Sequence, residues 1–393
     1  MTNRRVAVTG MGVVAPCGIG LEAFWNGLSA PAPVGAERPV TDFDPTPYFE
    51  NRKEARRSDR FTQFALAAAA MALEQAGNPE ITPQRAGVMI GTGVGGINTL
   101  EEQIQVNYNK GSNRVSPFLV PMMMGNAAAA SLSMRYGWQG PCETTVTACA
   151  AGTHAIGNAA RMIRDGRCDI AMAGGSEAGL TPTAVAGFRN MTALSASGNS
   201  RPFDNRRDGF VMSEGAGVLI LEEWEHAVAR GATILGELMG SASTADAHHI
   251  TAPAPGGTGA ISCMALAIAD AGLEATDIVH VNAHGTSTPL NDANEAQAIA
   301  AVFGDTQPLV TSTKGATGHA LGAAGALEAV AVLLSMQHRQ IPPTLGYSEV
   351  DPEMAKINIV AGEPAAWTPG PSLSNSFGFG GHNGTLVIGP PSA

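Results

Sequence analysis

What most constrains this chain is an alternation. Short runs of β-branched and other apolar residues keep giving way to alanine-rich stretches of helical period. That pattern is the mark of a largely parallel sheet covered by helices, an α/β fold. Strands are expected at Arg5–Val14, Arg85–Gly91, Glu143–Ala148, Asp169–Ala173 and Gly217–Leu221, with helices over Arg60–Gly77 and from Cys149 to Arg164. A second series begins near Thr233. It has helices over Ser262–Ala271, Asn291–Phe303 and Leu321–Gln337, and strands at Ile278–Ala283, Leu309–Ser312, Ser372–Phe377 and Gly384–Ile388. In each series a buried strand meets a loop of small residues and then an alanine/glycine-rich helix, TVTACAAGTHAIG in the first and TSTKGATGHALGAAGALEAV in the second. This implies an internal duplication, with 1–235 as one half and 236–393 as the other. No linker or low-complexity tract separates them, so they are expected to share an interface.

Composition narrows the class. Only 15% of residues are charged, which a large core or a large subunit interface would explain. The formal net charge of −11 argues against wholesale nucleic-acid binding, which needs a positive field. Lysine is confined to Lys53, Lys110, Lys314 and Lys356, so a lysine inside a motif stands out. The five cysteines form no CxxC pair and suggest neither a disulfide framework nor a zinc site, hence a reducing cytoplasm. No stretch is expected to reach the roughly 18 apolar residues of a membrane span, and the N-terminal segment lacks a long apolar signal core.

Three residues carry candidate chemistry. Cys149, in Val-Thr-Ala-Cys-Ala-Ala-Gly, sits where a strand gives way to a helix. The positive helix end and unpaired N–H groups there favour thiolate, the nucleophilic form, although a small cysteine packed in a core is the ordinary alternative. His284 and His319 each follow a strand in a loop of small residues, the place where open α/β sheets put binding groups. Either histidine alone could be structural; two at corresponding places together with a strand-end cysteine point to one site. Metal binding is the rival use. The nearest acids, Asp292 and Glu295, follow His284 on a helix without zinc-ligand spacing, so no metal is expected. His154, His226, His280, His338 and the His248–His249 pair read as bland.

Taken together, TACAAG, GGSEA, SRPFDNRRDGFVMSEGAG, VNAHGTSTPLND, STKGATGHALGAAGALEA and NSFGFGGHN resemble the β-ketoacyl-[acyl-carrier-protein] synthases of dissociated (type II) systems. The resemblance runs from VTGMGVVAPCG to NSFGFGGHNGTLVIG, essentially the whole chain. By contrast, GMGVV and GTGVGG are weak GxGxxG lookalikes, expected to be tight turns beside the active site.

The resemblance implies a thiolase-like, five-layered αβαβα dimer and an acyltransferase needing no cofactor. Cys149 would accept an acyl group from a carrier-protein thioester; malonyl-carrier protein would then lose carbon dioxide and its carbanion attack the cysteine-bound carbonyl. His284 and His319 would stabilise the enolate, and the backbone N–H groups of Cys149 and Phe379 the oxyanion. Lys314 is expected to pair with Glu295 and to position His319, with Asp292 ordering the loop. His319 favours an elongating synthase over an initiating one, which resembles a Cys-His-Asn set. The cysteine-free SFGFGGHN loop disfavours a thiolase. The acyl pocket is expected at Val94, Leu119, Phe188 and Phe379, with Met122–Met124 adding flexibility. Lys53, Arg56, Arg57 and Arg114 match docking positions for an acidic acyl carrier protein, whereas Asn113 departs from the family's usual basic residue. The expected assembly is a homodimer, or a heterodimer with a chain-length-factor-like subunit. The pathway, fatty-acid or polyketide/polyene, stays open. The alternative is a non-catalytic, tunnel-shaping partner subunit, although such chains lack the nucleophile.

Overall fold

The computed structural model describes residues 4–31 and 33–391. Ten strands form the framework. The first five are β1 (Val6–Ala15), β2 (Ala86–Gly91), β3 (Cys142–Glu143), β4 (Ile170–Glu177) and β5 (Gly215–Glu223). They lie in the order β3-β2-β4-β5-β1, with β2 parallel to both neighbours and β5 antiparallel to both of its own. The next five are β6 (Gly236–Ala245), β7 (His280–Asn282), β8 (Leu309–Thr311), β9 (Ser372–Gly378) and β10 (His382–Gly389). Their order, β8-β7-β9-β10-β6, repeats the first set position by position and direction by direction. The sets join where β1 meets β6 at Ala7–Glu237 and Val8–Gly236.

Helices fill three layers. α1 (Arg60–Gln75) and α2 (Ala127–Tyr136) cover the outer face of the first set of strands. Between the two sets lie α3 (Ala151–Arg164) and α6 (Ala324–His338), while α4 (Thr258–Asp270) and α5 (Pro289–Phe303) cover the outer face of the second. The result is an αβαβα sandwich. A helix covered on both sides must be apolar all round. The sequence of α6 obeys this: every residue from Ala324 to Met336 is buried.

The composition of α6 corrects one expectation. Leu321–His338 spans 18 residues at mean hydropathy 1.3, enough to cross a membrane by length and composition. Here 89% of that stretch is buried inside the protein, so the apolar run serves the middle layer. The GMGVV stretch is a second correction. It is no turn but the interior of β1, which is buried throughout. At Gly10 and Gly12 an added Cβ would stand 2.1 and 2.0 Å from the carbonyl oxygens of Ala72 and Ala68, so these glycines let α1 lie against the strand. The strand expected at 143–148 is shorter too: pairing stops at Glu143, and α3 follows a single 3-10 turn over Ala148–Ala150.

Gly12→Ala should force helix and strand apart. We expect a loss of about 1–3 kcal/mol, the usual cost of overpacking, measurable by urea denaturation.

Candidate active site

Three chain segments deliver the site. Cys149 sits in the 3-10 turn ahead of α3, and the preceding residue Ala148 has φ 49°, a left-handed conformation that non-glycine residues adopt at a cost of roughly 1–2 kcal/mol. The end of β9 presses on this turn: a Cβ at Gly378 would lie 3.0 Å from Cys149 N. Close approach brings the Phe379 N–H, together with the N–H of Cys149 itself, to where they favour negative charge on the sulfur.

His284 follows β7, and the Glu295 carboxylate on α5 holds its turn by accepting from His284 N (2.8 Å) and Gly285 N (2.7 Å). Asp292, one turn earlier on the same helix, accepts from Phe203 N (2.7 Å) and Ser287 N (3.1 Å). His319 is fixed through its backbone, donating to Val211 O (2.7 Å) and accepting from Ser213 N (3.0 Å). Phe210 meets its imidazole edge-on at 5.1 Å.

These segments converge. One donor atom each from Cys149, His284 and His319 lies within 4.8 Å of the others, and His319 Nε2 is 3.1 Å from Cys149 Sγ. All three line a cavity of about 400 Å³ that also contains Val94, Phe188, Leu321 and Phe379. Leu119 is not among its lining residues; it lies on the separate short helix Leu119–Met123. Lys53, Arg56, Arg57 and Arg114 are exposed, and the Arg57 guanidinium lies 4.2 Å over the Phe118 ring, which ties the helix carrying Lys53 to the loop carrying Arg114.

Lys314 departs from expectation. Its carboxylate partner is Glu328 on α6, not Glu295. Its Nζ donates to His284 O at 2.6 Å and lies 3.3 Å from His284 Nδ1, so its direct contacts are with His284, and it reaches His319 through its charge alone. The sequence held a clue: Glu328 is the sole acid in an otherwise apolar run, and buried charge demands a partner.

Charge placement follows from this. With Nδ1 facing an ammonium, the proton of a neutral His284 belongs on Nε2. Burial, reinforced by the Lys314 charge, holds both His284 and His319 well below the usual imidazole pKa, so both are neutral at physiological pH. Burial also pushes the Cys149 thiol up to about 11, against the pull of Lys314 and the two N–H groups. The helix end alone therefore does not give the thiolate expected from sequence. The short contact to His319 Nε2 supplies a path for the proton.

The same three atoms could in principle ligate a metal. A fixed ammonium against one imidazole opposes a bound cation, and hydrogen-bond chemistry suits the set better.

Comparison with known proteins agrees with the geometry. Residues 29–227 match the family model "Beta-ketoacyl synthase, N-terminal domain", and residues 235–348 match "Beta-ketoacyl synthase, C-terminal domain". The chain belongs to the β-ketoacyl synthase family. It is 44% identical to 3-oxoacyl-[acyl-carrier-protein] synthase 2 of Synechocystis sp., over 99% of this chain and 98% of the relative. Against the protein of the same name from Staphylococcus aureus (strain COL) it is 43% identical, over 98% of each. Among solved structures, the ishigamide ketosynthase/chain length factor superposes with a TM-score of 0.94 at 33% identity, covering all of both chains. A β-ketoacyl synthase from Burkholderia phymatum gives 0.91 at 34%, over 99% of this chain and all of the other. The fold is that of these ketosynthases, the thiolase-like sandwich.

Removing the Lys314 charge should let His284 titrate at higher pH. In Lys314→Ala, the His284 ring resonance in an NMR pH titration should move upward from its wild-type midpoint.

Proposed function

We propose that this chain is an elongating β-ketoacyl-[acyl-carrier-protein] synthase, an acyltransferase that extends a cysteine-bound acyl chain by decarboxylative condensation. One observation carries the reading: a cysteine sulfur and two neutral imidazoles share one buried cavity, within 4.8 Å of each other. A neutral imidazole donates to developing negative charge without being consumed as an acid. That is what an enolate requires.

The reaction divides into two half-reactions. In the first, the Cys149 sulfur attacks the carbonyl of an acyl-carrier-protein thioester; the new S–C bond forms as the old one breaks, and the thiol proton passes to the departing pantetheine thiolate. The N–H groups of Cys149 and Phe379 receive the oxyanion on the way. In the second, malonyl-carrier protein takes the vacated place. Its carboxylate leaves as carbon dioxide, and the electron pair moves into an enolate whose oxygen accepts from His284 and His319. The enolate carbon then attacks the acyl carbonyl and expels the Cys149 thiolate. Lys314 orients His284, and burial, reinforced by its charge, holds both rings neutral.

Relatives named for a carrier-protein substrate, and a ketosynthase solved with its acyl-carrier protein, support that partner class. Lys53, Arg56, Arg57 and Arg114 are each basic and exposed, which suits an acidic carrier. Solved relatives include ketosynthases with chain length factors, so a second subunit of either kind fits the reading. Five unpaired cysteines suit work in the cytoplasm.

Incubation with radiolabelled acyl-carrier protein should place the label on the Cys149 peptide, and absence of label there would refute the enzyme reading in favour of a tunnel-shaping subunit. Cys149→Gln should abolish condensation while retaining malonyl decarboxylation. In that background His319→Ala should slow decarboxylation by about 10²–10³-fold, the usual effect of losing one aimed donor. With His319 intact, both imidazoles stay neutral until the pH falls far below 6.5, so neither ring should itself impose a fall in decarboxylation between pH 8 and 6.

A further inference from the structure

The condensation chemistry leaves one buried carboxylate without a task. Glu177 ends β4 in the GGSEA stretch and has no exposed surface. It forms no ion pair among the described residues. Four neutral donors converge on it instead: Gly93 N at 2.6 Å, Gly322 N at 2.9 Å, Thr92 Oγ1 at 3.0 Å and Val94 N at 3.3 Å. Thr92 Oγ1 in turn accepts from Gly95 N at 3.1 Å, which extends the hold by one residue.

The donors belong to two separate stretches of chain. One is the loop after β2, carrying Val94; the other is the turn ahead of α6, carrying Leu321. Both side chains line the cavity with Cys149. They also meet each other's neighbourhood, since a Cβ at Gly179 would lie 3.5 Å from Leu321 Cδ1 and 3.8 Å from Val94 Cγ2. The two backbones touch: a Cβ on Gly322 would stand 2.2 Å from Gly93 N and 2.8 Å from Glu177 Oε2. Two N–H groups facing each other across such a gap cannot satisfy one another. One carboxylate oxygen satisfies both: Gly93 N and Gly322 N donate to Glu177 Oε2, while Thr92 Oγ1 and Val94 N donate to Oε1.

We propose that Glu177 is a positioning residue for chain-length selection: its carboxylate pins the 92–94 loop to the Leu321–Gly322 turn and so fixes the Val94 and Leu321 walls beside the acylated cysteine. This rests on the ketosynthase reading. The carboxylate is also near enough for its charge to push the Cys149 thiol upward, which puts the clamp next to the nucleophile. Burial raises Glu177 itself to about 7, and the four hydrogen bonds oppose that rise. A glutamine at this place has the same shape but one accepting oxygen, and its amide N–H₂ would face N–H donors. With the amide oxygen toward Gly322 the hold on Thr92 and Val94 is lost, and with it toward Val94 the Gly93–Gly322 bridge is lost, so the Val94 wall shifts either way. A wall displaced by the width of one methylene changes selectivity by roughly 10–200-fold.

The test uses full-length wild type, Glu177→Gln and Thr92→Val. Each is offered a competing ladder of acyl-carrier proteins of graded chain length, and the acyl group on the Cys149 peptide is identified by mass spectrometry. Alkylation of Cys149 by iodoacetamide, which is too small to need the walls, reports an intact nucleophile. In Glu177→Gln the preference for the best chain over one two carbons longer or shorter should fall by about tenfold. Thr92→Val removes one donor and the relay to Gly95, and should shift the ladder the same way to a smaller extent. An unchanged ladder in folded Glu177→Gln overturns the inference, and so does a uniform fall at every length with alkylation intact. If Glu177→Gln does not fold, Thr92→Val decides: a flattened ladder supports the clamp and an unchanged one refutes it. A wild-type chain that takes no acyl group on Cys149 at any length fails the ketosynthase reading, and this inference with it.

Discussion

An ammonium group sealed from water sets the terms for the interior. Lys314 is 1% exposed, and a buried charge left without partners costs several kcal/mol. Its partners come from two places: the Glu328 carboxylate from the middle-layer helix, and both the carbonyl and the ring nitrogen of His284 from beyond the end of β7. Only a chain with β7, β8 and α6 in register satisfies them together. Burial keeps both imidazoles unprotonated, and the same charge reinforces it and places the proton of His284 on Nε2. One cation thus bears on both packing and protonation state.

Much of this was legible in the sequence, for a definable reason. His284 follows its strand closely, while Cys149 and His319 lie farther on, in small-residue turns beyond Glu143 and Thr311, and the fold gathers such strand-to-helix connections at one place. The duplicated pattern of strand, small-residue loop and helix announced the doubled sheet. What failed were statements about which side chain meets which. Glu295 and Glu328 are both acids near histidine motifs, yet one grips a backbone turn and the other a lysine. Sequence distance carries no information on that choice. The glycines of β1 misled because a glycine needed for close helix packing looks the same as one needed for a turn. Glu177 lay inside the GGSEA motif with no readable role, since three of its four partners are peptide N–H groups, which every residue but proline possesses.

The resting site is also quieter than its residue list suggests. A thiol pushed up to about 11 and two depressed imidazoles carry almost no formal charge between them. The nearest charged side chains stand behind the site, on the Lys314–Glu328 pair and on Glu177. Negative charge therefore appears in the cavity only as the reaction creates it, first on a carbonyl oxygen and then on an enolate. Donors already aimed in a dry pocket need no reorganisation at that moment, and this is where such arrangements gain their rate advantage.

The middle layer has a consequence for biogenesis. α6 is greasy on every side and finds cover only between the two sheets, yet β9 and β10, which complete the second sheet, lie at residues 372–389. Until those strands emerge from the ribosome, a helix with the hydropathy of a membrane span stays half unroofed. The growing chain thus passes through a sticky intermediate late in synthesis, of the kind that draws chaperones or aggregates.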